Sequence, residues 1–351
     1  MYSEQDLRDA VAGGAISAEV AEALRGHVAH MRKMPVTDEE NFRLVNSFND
    51  IFVTIAAVLL LVAMAGIGSA IVAGLAGLLV AGAAWFMAEF FTKRRRMALP
   101  SIVLMLAFVG GVVAAPLEIL SETNVDQNER LLGALFAGSF IAGAIGAYLH
   151  WKRFMVPITI AAISATVAAS IIALIVTAIG PASLDNPEQL ILALVFIAGL
   201  SIFAFAMRWD MSDRDRSTRR SDVAFWLHLL AGPMIAHPLF HWLGITDGSM
   251  VGIGGAVVVL AVYLAFGLVA LAIDRRALLV SALAYVLFAL VELFDEFGMV
   301  ELSVALTALV IGSALLMLSA FWPAIRGVVV NKLPGTLQAR LPIAGAIPQA
   351  A

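Results

Sequence analysis

The chain has 351 residues, of which 61% are apolar and only 14% are charged, and its mean hydropathy is +0.94. Soluble domains carry about 25% charged residues, so this composition excludes a soluble globular protein and predicts one helical membrane bundle. The basic residues stand in short clusters between apolar runs, and we therefore expect no nucleic-acid partner. The absence of cysteine excludes disulfides, thiolate metal sites and a cysteine nucleophile.

The polar N-terminal segment predicts a small helical hairpin and no cleavable signal peptide. Residues 3–12 form the first predicted helix, two glycines end it, and Ser17 is the expected N-cap of the second helix. The second helix carries an apolar stripe at helical spacing: Val20, Leu24, Val28 and Met31. About 30 residues bury too little surface to fold alone. Residues 3–31 must therefore dock, either on loops of the same chain or on a second copy or another protein.

The segment that carries the hairpin also carries a family resemblance. Residues 6–21 have the sequence Asp-Leu-Arg-Asp-Ala-Val-Ala-Gly-Gly-Ala-Ile-Ser-Ala-Glu-Val-Ala. This helix, Gly-x-Ile-Ser turn and second helix resemble the opening of a group of uncharacterised bacterial inner-membrane proteins with a domain of unknown function, in which many spans follow. The resemblance covers the hairpin by motif and the rest of the chain by architecture alone. It implies a bacterial inner membrane and no catalytic residues.

Ten apolar segments follow, each long enough, at about 20 residues, to cross a bilayer as a helix. They are residues 50–68, 70–91, 98–119, 131–150, 155–179, 189–207, 223–243, 250–273, 277–295 and 301–322. Residues 66–69 alone can make the turn between the first two. A single long interfacial helix is the alternative there, although about 40 residues are too many for one span. The sequence therefore predicts an all-α polytopic membrane bundle.

The connections between these segments alternate in charge. Of the 22 Lys and Arg residues, all except Arg130 fall on one side of the alternation, which also holds both termini. Their clusters on that side are residues 93–96, 152–153, 208–220 and 275–276. Short basic loops stay in the cytoplasm. We therefore predict a multi-pass protein of the bacterial inner membrane with both termini cytoplasmic.

These boundaries divide the chain into three parts. Residues 1–49 are the cytoplasmic hairpin and linker, residues 50–322 are the transmembrane bundle, and residues 323–351 are a tail rich in Ala, Gly and Pro that we expect to be disordered. Ten spans divide into five and five, and an odd number in each half would invert one half relative to the other, as in many secondary transporters. The alternative is a bundle that grew by adding hairpins, because the halves share no convincing residue-level similarity.

The seventh segment is unusual because it contains two prolines and three histidines. Pro233 and Pro238 lack an N–H, so each leaves the carbonyl four residues earlier without its helical partner. Lipid cannot bond to such a carbonyl, and another helix, water or a ligand must do so. Interrupted helices of this kind line ion and substrate sites in transporters. We therefore predict an interruption near Gly232 and Pro233.

Ionisable side chains gather on the outer half of the same region. His237 and His241 are four residues apart and lie on one helix face. At this spacing two imidazoles can share a metal or pass a proton, but no motif supplies a third metal ligand, and packing at the interface is the alternative. Glu118 and Glu292 are carboxylates on the same half. Glu292 is the sharper candidate, because a carboxyl at membrane depth is costly unless partnered; a hydrogen-bonded structural carboxyl is its alternative.

We predict that His237 faces the bundle interior, with Glu292 within reach directly or through water. For three ionisable residues on the inner half we predict structural roles instead. Glu89 precedes Lys93 by four residues, which is the spacing of a helix salt bridge. Asp222 is expected to cap the seventh helix, and His150 is expected at the interface.

Three functions are compatible with this pattern. The first is a small-solute or proton-linked transporter, with its site formed from His237, His241, Glu292, Glu118, Pro233 and Pro238. The second is a non-enzymatic membrane scaffold or sensor that uses the hairpin. The third is a membrane metallohydrolase, in which the two histidines and a carboxylate hold zinc. The lipid bilayer is the partner common to all three, and the sequence predicts no resident cofactor.

Overall fold

The computed structural model describes residues 4–32, 48–122, 129–180, 186–214, 216, 218–245, 253–299 and 301–342. Within these ranges every regular element is a helix. The helices are, in chain order, α1 (Glu4–Ala12), α2 (Ala18–Arg32), α3 (Phe48–Ser69), α4 (Leu75–Ala88, continued by a π-helical stretch, Glu89–Arg94), α5 (Ala98–Ser121), α6 (Glu129–Phe154), α7 (Ile158–Ile179), α8 (Pro187–Met211), α9 (Arg219–Trp242), α10 (Ile253–Ile273), α11 (Ala277–Glu296), α12 (Ser303–Asn331) and α13 (Gly335–Gln338). Ten of them, α3 to α12, are long and apolar enough to cross a membrane. The predicted all-α polytopic bundle is confirmed.

The chain forms two compact units, and the first contains the hairpin of α1 and α2. The Ser17 hydroxyl accepts a hydrogen bond from the Val20 N–H at 3.2 Å, which confirms Ser17 as the N-cap of the second helix. Val20 and Leu24 of the predicted apolar stripe are 53% and 38% exposed. The side chains of Val28 and Met31 lie outside the described residues.

The turn between the first two spans lies further along the chain than predicted. Helix α3 continues through residues 66–69, and the chain reverses at residues 70–74, where Gly74 has a φ of +83°. A Cβ atom added to Gly68 would lie 2.4 Å from the Ala76 Cα atom. This glycine therefore permits a close approach of α3 to α4, and it does not form the turn.

The predicted tail is wrong for residues 323–342. Helix α12 continues to Asn331, and the chain after it is held by two arginines. Arg326 Nη2 donates to the Pro342 carbonyl at 2.7 Å, and Arg214 Nε donates to the Leu341 carbonyl at 3.0 Å. Leu341 is buried in an apolar cluster with Trp322. A composition rich in Ala, Gly and Pro does not reveal these specific contacts, and residues 343–351 lie outside the described residues.

The two groups of five spans differ in their packing. In the first group α4 packs extensively on α5, whereas the equivalent α9 packs on α8, α7 and α11. The contacts therefore give no support to a five-plus-five repeat, which stays a prediction. Helix α9 packs on three other spans, and about half of its membrane-spanning residues are buried.

Candidate functional site

Helix α9 contains both prolines and is nevertheless continuous. It runs from Arg219 to Trp242, so the predicted interruption near Gly232 and Pro233 is wrong. The helix also packs closely on α11 beside Pro233. A Cβ atom added to Gly232 would lie 2.3 Å from the Ser281 hydroxyl, so α9 and α11 are in close contact beside Pro233. Pro233 itself is exposed and Pro238 is buried.

His237 has a different partner from the one predicted. His237 is exposed, so the prediction that it faces the bundle interior is wrong. Its Nδ1 atom lies 2.7 Å from the Tyr285 hydroxyl of α11, and the Tyr285 ring stacks on Phe240 with ring centroids 4.4 Å apart. The side chain of Glu292 lies outside the described residues, and the pairing of His237 with Glu292 therefore stays a prediction.

The remaining predicted residues are divided between two places. His241 Nε2 lies 3.8 Å from Glu188 Oε1, at the start of α8, and its ring centroid is 6.5 Å from that of His237. Glu118 Oε2 instead accepts a hydrogen bond at 3.3 Å from the Gly77 N–H of α4. The structure therefore keeps the two histidines near each other and attaches Glu118 to another pair of helices. In the described part of the chain, no three His, Asp or Glu side chains are grouped to hold a metal ion.

The main ionisable cluster lies at the opposite end of α9, among three residues that the sequence does not single out. Asp210 ends α8, His228 lies in α9, and Arg275 lies in the turn between α10 and α11. They are 1%, 0% and 2% exposed. Three distant parts of the chain thus place an acid, an imidazole and a guanidinium in one buried position.

The Asp210 carboxylate accepts bonds from both neighbours. Its Oδ2 atom lies 2.9 Å from His228 Nε2 and 3.3 Å from Arg275 Nε, and its Oδ1 atom lies 2.5 Å from Arg275 Nη2. The Arg275 contact is therefore a two-pronged guanidinium–carboxylate pair, which is the strongest geometry for such a contact. Arg275 Nη2 also donates to the carbonyl and the hydroxyl of Ser221, at 3.1 and 3.2 Å. We call Asp210, His228, Arg275 and Ser221 the buried ionic cluster.

Two nitrogen atoms of the buried ionic cluster could each form a further hydrogen bond. His228 Nδ1 and Arg275 Nη1 are buried and have no hydrogen-bond partner among the described residues. A buried polar atom left unpaired costs about 1–3 kcal/mol. Such atoms are expected where a water, an ion or a substrate binds at some stage.

A second set of polar contacts fixes the backbone beside the cluster. Asp213 Oδ2 accepts from the N–H and the hydroxyl of Thr218 at 3.0 and 2.7 Å, and from the Ser221 N–H at 3.3 Å. The Thr218 hydroxyl in turn accepts from the Arg220 N–H. The N-cap of α9 is therefore Thr218 rather than Asp222, and the prediction for Asp222 is wrong.

Arg216 and Asp274 connect the neighbouring loops. Arg216 Nη1 donates to Asp274 Oδ2 at 3.0 Å, and the Trp322 Nε1 atom donates to Asp274 Oδ1 at 2.7 Å. Asp274 has a φ of +60°, which turns the chain sharply just before Arg275. These contacts bind the end of α10 and the middle of α12 to the α8–α9 connection. They fix Asp274, the residue directly before Arg275.

The predicted contact of Glu89 is also different. Glu89 accepts two bonds from Arg153 at the end of α6, at 2.7 and 2.9 Å, so its hydrogen-bonded ion pair is with Arg153 rather than with the predicted Lys93. The chain is π-helical from Glu89 to Arg94, and residues four apart do not align there as they do in an α-helix.

His150 is fully buried, which agrees with the structural role expected for it, and its location at the membrane interface stays a prediction. Its ring centroid lies 4.6 Å from that of Phe154 and 5.6 Å from that of Phe108. Its Nδ1 atom lies 3.4 Å from the Thr159 hydroxyl. The aromatic rings fill the space around this histidine.

The sequence carries only a faint signal for the buried ionic cluster. Arg275 counts among the basic loop residues, and Asp210 follows a basic residue at the end of a span. Both patterns indicate a solvated loop. His228 is the one member at evident membrane depth, but the sequence does not show which residues from other helices meet it.

Comparisons with known proteins add no assignment. No protein-family model matches the sequence, and neither a curated protein nor a solved structure matches it.

Proposed function

We propose that this multi-pass membrane protein is a proton-linked transporter of a small solute and that the buried ionic cluster is its proton-responsive element. The observation that carries the proposal is the complete burial of His228, within the spanning helix α9, together with Asp210 at the end of α8 and Arg275 in the α10–α11 turn. Ionisable side chains at such positions are costly, and they mark ion pathways and proton relays.

The contacts indicate how proton binding and helix movement would be linked. A buried carboxylate is tolerated as an anion only while a cation and hydrogen-bond donors surround it. Arg275 supplies the charge for Asp210 and comes from the α10–α11 turn, not from α8. If that turn moves away from α8, the carboxylate must take up a proton or another cation. Proton uptake by Asp210 is thereby coupled to separation of the α10–α11 turn from α8.

His228 is the natural route for the proton. Its Nε2 atom contacts Asp210, and its unpartnered Nδ1 atom lies on the opposite side of the ring. An imidazole can accept a proton on one nitrogen and release one from the other. His237 lies nine residues further along α9, about 13 Å along the helix axis, and contacts Tyr285. Because His237 is exposed, we propose that it stands with His241 and the predicted Glu292 at the outer mouth of the pathway.

The test uses purified protein in liposomes that contain a pH-sensitive dye. Amino acids, carboxylates, sugars, amines and metal ions are added in turn under an imposed proton gradient. We expect one class to cause proton entry in the wild type and not in Asp210→Asn. Glu89→Gln, which changes an exposed carboxylate in the other half, is the matched control and should keep the flux. Absence of solute-induced flux for every class would contradict the proposal.

A scaffold or sensor is the second candidate, and exposure of Val20 and Leu24 on α2 favours it. These apolar side chains offer a contact surface for a second copy or another protein. The metallohydrolase has no comparable observation behind it.

We also propose the bacterial inner membrane as the location, with both termini in the cytoplasm, on the strength of the charge alternation. Because the chain has no cysteine, single cysteines can be introduced and treated with an impermeant thiol reagent in intact cells. Cysteines at Asn186 or Thr246 should react from outside, and one at Ser217 should not. External reaction at Ser217 would overturn the orientation.

A further inference from the structure

An apolar groove runs between α11 and α12, separate from the buried ionic cluster. Leu279 and Leu283 of α11 and Leu315 and Leu318 of α12 line it, together with Tyr263 of α10, and its cavity volume is about 120 Å³. A cavity of about 150 Å³ is large enough to hold a benzene molecule. The groove is somewhat smaller than that, so it has room for a few methylene groups of a hydrocarbon chain.

Arg276 and Trp322 also line this groove. The Arg276 guanidinium carbon lies 4.9 Å from the centre of the Trp322 ring. The ring itself is 3% exposed and is fixed by the bond from its Nε1 atom to Asp274. Two adjacent arginines thus differ in their surroundings. Arg275 is buried against Asp210, and Arg276 is exposed beside the groove.

The surroundings of the groove are exposed apolar side chains. Val280 of α11 is 63% exposed, and Leu316, Met317 and Phe321 of α12 are 74%, 62% and 56% exposed. On membrane-spanning helices such side chains face lipid. The groove is therefore open to the bilayer, with its arginine in the turn just before α11, among the basic connections of the chain.

We propose that the groove binds a membrane phospholipid, with one acyl chain along the α11–α12 leucines and the phosphate at Arg276. Charge complementarity and position select this occupant: a cation stands at one end of an apolar groove, where a bilayer has its headgroups. The contact with Trp322 uses the face of the guanidinium, whereas a phosphate binds at its edge. Tyr263 adds a buried hydroxyl without a hydrogen-bond partner among the described residues.

Native mass spectrometry of the protein, released from detergent micelles, tests the site. The protein is first incubated with vesicles of phosphatidylglycerol and phosphatidylethanolamine. We expect the wild type to retain one phospholipid, and Arg276→Gln to retain it about tenfold less, because a charge-assisted bond is lost. Leu283→Trp should reduce retention independently by filling the groove. Lys332→Gln, which removes an exposed cation near the end of α12, is the control and should retain lipid as the wild type does.

Equal retention by Arg276→Gln and the wild type would overturn the phosphate contact, and a wild type that retains no lipid would overturn the site. If Lys332→Gln loses lipid as strongly as Arg276→Gln, retention reflects overall charge and the proposal is also wrong. Circular dichroism and gel filtration of each variant show whether its fold is intact. Leu283→Trp keeps the groove testable if Arg276→Gln does not fold.

Discussion

Among the residues whose burial the structure describes, two histidines are fully buried, one in each group of five spans, and their surroundings differ. His150 in α6 lies among aromatic rings, and its Nδ1 atom lies near the Thr159 hydroxyl. His228 in α9 contacts a carboxylate that is itself held by an arginine. Burial alone therefore does not distinguish a histidine that fills space from one that takes part in an ionic cluster. The two differ in their charged partners, and among the described residues the buried charged partners lie in the second half.

Ion pairs show the same contrast. In the first half, Glu89 and Arg153 are 32% and 46% exposed, and solvent screens their attraction. In the second half, Asp210 and Arg275 are almost completely inaccessible. Because water cannot replace a lost partner there, a buried pair broken on one side is far more costly than an exposed one.

The largest expected effect is therefore on stability when the buried pair is broken. Asp210→Ala leaves the Arg275 charge buried without its counterion, and we expect a loss of about 3–5 kcal/mol. Glu89→Ala removes an exposed partner and should leave the melting temperature almost unchanged. Thermal unfolding in detergent, followed by intrinsic fluorescence, measures both.

The double variant Asp210→Asn/Arg275→Gln separates charge from packing. It removes both charges together, so no uncompensated ion stays buried, and it should be more stable than Asp210→Ala. Equal losses for the two proteins would mean that shape rather than charge holds this region.

A smaller difference in stability is expected between variants of His228 and of His150. His228→Leu removes a donor from the Asp210 carboxylate and should destabilise the protein by about 1–3 kcal/mol. His150→Leu replaces an imidazole surrounded by aromatic rings with another apolar side chain, so its loss should be clearly smaller. Melting curves recorded side by side decide this. A loss for His150→Leu as large as that for His228→Leu would remove the distinction between the two halves.

The smallest effect on bundle stability is expected from deletion of residues 1–35. The hairpin forms a unit of its own, so the shortened protein should insert and unfold as the full chain does. The exposed stripe predicts instead that a self-contact or partner contact is lost. Assembly mass by light scattering, with identification of co-purifying proteins, measures this. An unchanged mass and unchanged partners would mean that the hairpin packs only on its own chain.

The sequence predicts the spans well because crossing a bilayer requires a long apolar helix, and composition records that requirement directly. It predicts the Ser17 cap for a similarly local reason. The buried ionic cluster depends on something else. Arg275 is 65 residues from Asp210 in the chain, and the turn at Asp274 that directs Arg275 inward has no sequence pattern of its own. The prolines gave a wrong prediction, since local rules predict a break in α9 where the structure has a continuous helix.

The most direct test of proton linkage compares two charge-neutral double variants in the same liposome assay. Asp210→Asn/Arg275→Gln removes the buried pair, and Glu89→Gln/Arg153→Gln removes the exposed pair. For a solute that the wild type transports, we expect the first variant to lose solute-driven proton movement and the second to keep it at the wild-type rate. Proton movement that persists at the wild-type rate without the buried pair would contradict a role for Asp210, His228 and Arg275 in proton coupling.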